Sequence, residues 1–203
     1  IYQAIEDETE STDDRNSANM TGRTFELIQK YAVSPVPLLI LGEPGTGKDK
    51  TAKLLYRMGD YCEKPLFIVD CSAVRSSEWE QLMLADDSPF AVLDTAIHLK
   101  DLDALGAQDI QLFFQYAKTT GFLRRNRVTI SMTLGSPREA EIRPILLNEH
   151  GCIAFPLPPL RERIEELPNI LALYTNQMNV KFGKQIVGFS QEALARMTAV
   201  AVG

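Results

Sequence analysis

The residues best suited to chemistry lie in one stretch, Leu38-Leu39-Ile40-Leu41-Gly42-Glu43-Pro44-Gly45-Thr46-Gly47-Lys48-Asp49. Four apolar residues end at a glycine, and a glycine-rich turn then runs into a lysine and a helix-forming segment. That order of strand, loop and helix N-terminus is what a nucleotide-phosphate site needs. The glycines open backbone angles closed to other residues, so successive N–H groups can turn toward one anion. Lys48 adds a point positive charge for the outer phosphates, and the helix it opens adds its positive dipole end. Gly42, Glu43, Pro44, Gly45, Thr46, Gly47, Lys48 and Asp49 are therefore the candidate nucleotide-binding residues. Asp49 stands where a Ser or Thr usually offers its hydroxyl to magnesium.

Regular elements must hold this loop in place. A strand over 37–41 delivers it and a helix over 48–58 carries the chain away. Upstream, Phe25, Leu27, Ile28, Tyr31 and Ala32 recur at helical spacing, and that helix stops before Pro35. The apolar run 66–70 reads as a buried strand. Residues 76–84 form a short helix bearing the single tryptophan, Trp79, expected as a partly buried packing residue. A third strand falls at 96–99, with 91–94 as the competing register. An amphipathic helix follows over 107–118, with Ile110, Phe113, Phe114 and Ala117 on its apolar face. Strands at 128–133 and 152–155 complete the set.

Strands alternating with helices imply an α/β fold, a three-layer sandwich around a parallel sheet. Pro156, Pro158 and Pro159 mark a boundary, beyond which the pattern is helical over 161–182 and again from Ser190. The expected organisation is an acidic linker or tail over 1–19, an α/β nucleotide-binding subdomain over 20–158, and a truncated helical lid over 159–203.

Composition narrows the function. With 203 residues, 45% hydrophobic and 24% charged, the chain suits one globular domain with a small appendage. Its net charge of −6 is concentrated at the start, where Glu6, Asp7, Glu8, Glu10, Asp13 and Asp14 face only Arg15. The rest is nearly neutral, which argues against direct electrostatic capture of DNA or RNA. DNA binding is assigned to a domain outside this segment. No run of about 18 apolar residues and no signal peptide occurs, so no membrane partner and a cytoplasmic location are expected. The start at Ile1 and a helical pattern still running at the end suggest a piece of a longer protein. Cys62, Cys71 and Cys152, with only His98 and His150, make no zinc pattern and read as buried free thiols.

In combination these stretches resemble the AAA+ ATPase domain of bacterial enhancer-binding transcription regulators, the sigma-54 activators. That family's phosphate loop is typically Gly-Glu-(Ser/Pro/Thr)-Gly-Thr-Gly-Lys-Glu, so an acid after the lysine, here Asp49, is normal in it. Pro65-Leu66-Phe67-Ile68-Val69-Asp70-Cys71 resembles its second strand. Pro158-Pro159-Leu160-Arg161-Glu162-Arg163-Ile164-Glu165-Glu166-Leu167-Pro168 resembles its approach to the lid. Gly188-Phe189-Ser190 with Glu192-Ala193-Leu194 matches a later lid motif. The resemblance implies ATP or ADP as ligand, magnesium as its companion, and self-assembly into a dimer or ring. It also implies contact with RNA polymerase or a sigma factor through the full-length protein.

Three departures shape the functional expectation. The family's second motif is a strand ending Asp-Glu, whose Asp orders magnesium and whose Glu activates water. In the register set by the following helix, Lys100 takes the place of that Asp and Asp101 that of the Glu. Asp101 is then the one catalytic and metal-binding candidate there, with magnesium binding weakened. In the competing register Asp94 would be the metal acid, followed by Thr95. The second departure is a loop: between Cys71 and Ala96 the chain is shorter than the family's segment and lacks its Gly-Ala-Phe-Thr-Gly-Ala sigma-contact motif. Third, the strand 127–133 places Thr133 at the polar sensor position. Arg124, Arg125 and Arg127 fall where relatives carry inter-subunit arginine fingers, a solvated basic turn being the competing reading. The expected function is a nucleotide-binding AAA+ module of a transcription regulator, controlling oligomerisation with weak or lost hydrolysis. An active ATPase driving transcription initiation and a non-binding structural dimerisation domain are the alternatives.

Overall fold

The structure is a computed structural model that describes residues 2–5 and 23–202. Two compact units divide the chain. Among the described residues, the first holds 28–157 with 2–5, and the second holds 158–202 with 23–27. The division falls one residue before the expected boundary, and the opening turns of the first helix belong with the helical unit.

The first unit is built on a six-stranded sheet. Its strands are β1 (Tyr2–Ile5), β2 (Leu38–Gly42), β3 (Leu66–Asp70), β4 (Ala96–Lys100), β5 (Arg127–Thr133) and β6 (Ile153–Pro156), in the spatial order β1-β3-β4-β5-β2-β6. The five strands from β3 to β6 are parallel, and β1 runs antiparallel along β3. An edge strand at residues 2–5 corrects the reading of 1–19 as linker or tail throughout. The acidic residues 6–19 lie outside the described residues.

Alternation along the strands divides the core in two. Leu39, Leu41, Val69, Ile97, Leu99, Val128, Ile130 and Met132 point to one face. There they meet α3 (Ser76–Leu84), α4 (Ala107–Thr120), α5 (Phe122–Arg125) and α6 (Glu139–Asn148). Trp79, Phe90, Phe113 and Phe122 are fully buried there in edge-on and tilted ring contacts, and Trp79 Nε1 donates to Asp109 O at 3.1 Å. Trp79 is thus a central packing residue, deeper than expected. The other face carries the complementary residues of each strand and meets α2 (Lys48–Arg57) across β2, β4 and β5. The helix α1 (Arg23–Ala32) ends beside the start of β5.

Most elements lie within two residues of their expected ends, and β4 settles the register question. Residues 91–95 form no strand, and Asp94 sits at the start of β4, ion-paired with Lys64. The phosphate loop leaves the other, C-terminal ends of the strands. Asp94 is therefore no metal acid for that loop. Helix α6, with Pro144 inside it, was not anticipated. Cys71 and Cys152 are buried as expected, but Cys62 is exposed in the turns after α2.

The second unit is helical. Two 3₁₀ turns, Leu160–Glu162 and Ile164–Glu166, precede α7 (Leu167–Phe182), so the expected helix over 161–182 starts later. Glu166 accepts from Thr24 Oγ1 at 2.9 Å and pairs with Arg163 at 3.4 Å. Ser190 Oγ accepts the N–H of Ala193 at 3.2 Å and so caps α8 (Gln191–Val202), a helix the sequence starts near Ser190. Among the described residues no helix is long and apolar enough to cross a membrane.

Candidate nucleotide site

The site begins with β2, buried along its whole length, which enters the sheet between β5 and β6. In open α/β sheets ligands bind past the C-terminal ends of the strands. The loop 42–48 occupies that end of β2. Gly45 and Gly47 adopt φ of 80° and 91°, the left-handed region that lets the backbone turn in tightly, and Gly47 directly precedes α2. Thr46 closes the turn: its N–H and its Oγ1 both donate to Glu43 O, at 3.3 and 2.8 Å. Gly42 has a different constraint, a close approach. A Cβ there would lie 2.5 Å from Thr46 Oγ1 and 3.1 Å from Leu157 O.

Lys48 is buried and its ammonium stays at the loop. Nζ donates to Gly42 O at 3.2 Å, to Glu43 O at 3.5 Å and to Thr133 Oγ1 at 3.4 Å. Thr133 reaches this point because Gly42 and Thr133 are register partners in adjacent strands. The N–H of Thr133 donates to Asp103 Oδ1 at 3.2 Å, which fixes the end of β5. The sequence-predicted residues 42–49 and Thr133 thus converge on one place.

The polar residues of β3, β4 and β5 reach the same place by period-two alternation. His98 and Lys100 share the α2 face of β4, Asp70 the matching face of β3, and Thr129, Ser131 and Thr133 that of β5. Asp70 and Lys100 are direct register partners. Lys100 Nζ lies 2.8 Å from Asp70 Oδ2 and 3.5 Å from Asp49 Oδ2. The other Asp70 oxygen accepts from the Ser72 N–H at 3.1 Å and its Oγ at 2.5 Å. Asp70 pairing holds the Lys100 ammonium above its ordinary pKa, with Asp49 adding to the effect. Donors from Lys100 and Ser72 outweigh partial burial and hold Asp70 below the usual carboxylate range.

His98 completes this network from inside. It is 3% exposed, and its Nδ1 lies 3.2 Å from Thr129 O. A carbonyl only accepts, so Nδ1 donates to it, and Nε2 is turned toward Asp49 Oδ1, 3.8 Å away. That distance is an electrostatic contact, too long for a hydrogen bond. His98 first, then the Lys100 charge, keeps the Asp49 carboxyl below its ordinary range.

Asp101 follows immediately, with φ 51°, a left-handed turn that swings the chain out of β4. Its N–H donates to Ser131 Oγ at 3.1 Å. Burial pushes its carboxyl up, against the lowering effect of Lys48. Asp70, His98 and Asp103 were not singled out from the sequence. The available signal was alternation: two residues back from Lys100 is His98, and two on from Asp101 is Asp103.

The residues present do not fit a divalent metal. Such an ion beside phosphates takes oxygen ligands, commonly carboxylates and a loop hydroxyl. Here the hydroxyl position is Asp49, and the carboxylates of Asp49 and Asp70 both face the Lys100 ammonium. Among the described residues no group of three or more His, Cys, Asp and Glu side chains is arranged to hold a metal ion. Asp101 alone does not make such a site.

The three arginines separate. Arg127 is 7% exposed and its guanidinium donates to the carbonyls of Ser34, Val36 (2.9 Å), Tyr31 (2.8 Å) and Ala32 (3.4 Å). It clamps the end of α1 and the following turn to the start of β5, far along the strand from Thr133. A buried arginine held by four carbonyls of its own chain cannot reach another subunit, so Arg127 is not an arginine finger. Arg124 and Arg125 are exposed on α5.

Comparison with known proteins bears on the fold and the family resemblance. Residues 15–86 match the sigma-54 interaction domain family. The regulatory protein LuxO of Vibrio parahaemolyticus is 25% identical over 208 residues, covering 90% of this chain and 46% of that protein. The response regulator protein PilR of Pseudomonas aeruginosa is 28% identical over 174 residues, covering 70% of the chain and 37% of PilR. The chain spans less than half the length of these relatives. Crystal structures of NtrX from Brucella abortus, in complex with ADP and with ATP, superpose with TM-scores of 0.74 and 0.73 at 16% identity. They cover 94% and 95% of this chain, and 50% and 52% of NtrX, and they show a shared fold. Over residues 15–86 the chain is thus similar to the sigma-54 interaction domain of bacterial transcription regulators, and as a whole it shares the α/β fold of the NtrX structures.

Proposed function

We propose that this chain is a nucleotide-binding module of a bacterial transcription regulator, in which ATP or ADP is a ligand that favours self-assembly and hydrolysis is weak or absent. The observation that carries this reading is the loop 42–48 with Lys48 held at its mouth, set beside a Lys100 that is tied to Asp49 and Asp70. The first half suits binding. A glycine-turned loop, a helix N-terminus and a buried ammonium lie together, and that is the chemistry a polyphosphate needs. The second half suits poor turnover. Phosphoryl transfer rests on charge neutralisation and a placed base, and a lysine stands among the groups that would order the metal. The nucleotide complexes of NtrX add support through the common fold. Contact with RNA polymerase or a sigma factor, and with DNA, is assigned to the full-length protein.

Isothermal titration of this chain with ATP tests the binding. Micromolar to millimolar affinity that Lys48→Ala removes is expected, and no heat at millimolar nucleotide overturns the proposal. A second reading, a working ATPase, draws on Asp101. Its half-buried carboxyl beside Lys48 has the raised basicity that suits a base. Phosphate release that Lys48→Ala abolishes would establish that reading in place of the first.

A further inference from the structure

We propose that the site binds nucleotide phosphates without a divalent cation, Lys100 acting as the built-in counter-charge. This rests on the nucleotide-binding reading above and deepens it. Two ammonium groups reach the mouth of the loop from different elements. Lys48 comes from the first turn of α2, and Lys100 from the end of β4. Lys100 is positioned rather than free. Asp70 holds it at 2.8 Å through a direct cross-strand pair, and Asp70 is itself oriented by two donors from Ser72. The second partner, Asp49, is looser at 3.5 Å and half exposed. An incoming phosphate oxygen can take the place of that weaker partner while Asp70 keeps hold of the ammonium.

A divalent ion faces the opposite situation. To use Asp49 or Asp70 it must displace Lys100 or lie within a few ångströms of it, where like charges repel. No hydroxyl follows Lys48 to take up the ion from the loop side, because residue 49 is an aspartate. The unpaired Nε2 of His98, buried behind Asp49 at 3.8 Å, adds no metal-binding partner, since one nitrogen and one loosely held carboxylate are too few ligands. The pairwise geometry therefore favours an ammonium over a metal at this position.

The test is calorimetric titration of the chain with ATP and with ADP, once with magnesium and once with EDTA. Affinities within about twofold of each other are expected, with Lys100→Met weakening binding in EDTA about tenfold, the effect of one charge-assisted contact. Circular dichroism checks that this variant is folded, and Lys100→Arg, which keeps the charge, is expected to retain most of the affinity. Binding seen only with magnesium overturns the inference and leaves nucleotide binding standing. Metal-independent binding that Lys100→Met does not weaken removes the role of Lys100. Absence of binding in both buffers removes the nucleotide reading itself.

Discussion

Gly42 shows how tightly single residues constrain the loop. Its missing Cβ would stand 2.5 Å from Thr46 Oγ1, the hydroxyl that closes the loop, and 3.1 Å from a main-chain oxygen that cannot rotate away. Gly42→Ala is therefore expected to cost about 1–3 kcal/mol in urea unfolding and to weaken nucleotide binding. The charge network makes a second prediction. Asp49 and Asp70 have folded-state pKa values below their ordinary ones, so they add stability above about pH 4 that fades as the pH falls further. Lys100, with a raised value, adds stability below about pH 10. Lys100→Met should then lower the unfolding free energy most between about pH 5 and 9, by about 1 kcal/mol because the pair is partly exposed. The gap to the unaltered chain should close toward pH 3. A gap independent of pH would mean the lysine matters only through its aliphatic stem.

At the scale of elements, β5 joins the site to the scaffold. Thr133 ends it at Lys48, and Arg127 begins it with four carbonyl bonds to residues 91 to 96 positions upstream. Arg127→Met removes the guanidinium donors from those carbonyls, of which Tyr31 O keeps the Ser34 N–H, and is expected to cost about 2–4 kcal/mol, read as a lower midpoint in denaturant. Nucleotide affinity should survive, which separates a clamp from a finger. This role was illegible from the chain alone, where Arg127 reads as one member of a basic triplet. Its partners are distant in sequence and are main-chain atoms with no residue signature. The loop and strands β2 to β5 were legible because apolar runs and glycine spacing are local signals. Helix α6 escaped because Pro144 and its polar first turn break the apolar rhythm. The strand at residues 2–5 escaped because four edge residues beside an acidic segment carry too little pattern. At the site, Lys100 and Asp101 could be placed by register, yet the hold of Asp70 on Lys100 needed the pairing of β3 with β4.

At the scale of the whole molecule, the question is what bound nucleotide changes. Arg124 and Arg125 project from α5, at the opposite end of β5 from the loop, and are exposed. A guanidinium there cannot serve its own site, since β5 runs the length of the sheet between them. In the proposed oligomer it would meet the phosphates of a neighbouring copy, where a forked cation suits a polyphosphate anion. In that arrangement nucleotide would bridge two chains and link assembly to binding, so that whatever strengthens one would strengthen the other. Sedimentation velocity should show the chain shifting to larger species when a non-hydrolysable ATP analogue is added. In the Arg124→Ala/Arg125→Ala double variant the association constant should fall at least about tenfold, near 1.4 kcal/mol. Intrinsic nucleotide affinity measured at low protein concentration should not change. Equal assembly in the variant would assign α5 to a solvated basic turn. Assembly that ignores nucleotide would instead assign the interface to surfaces away from the loop.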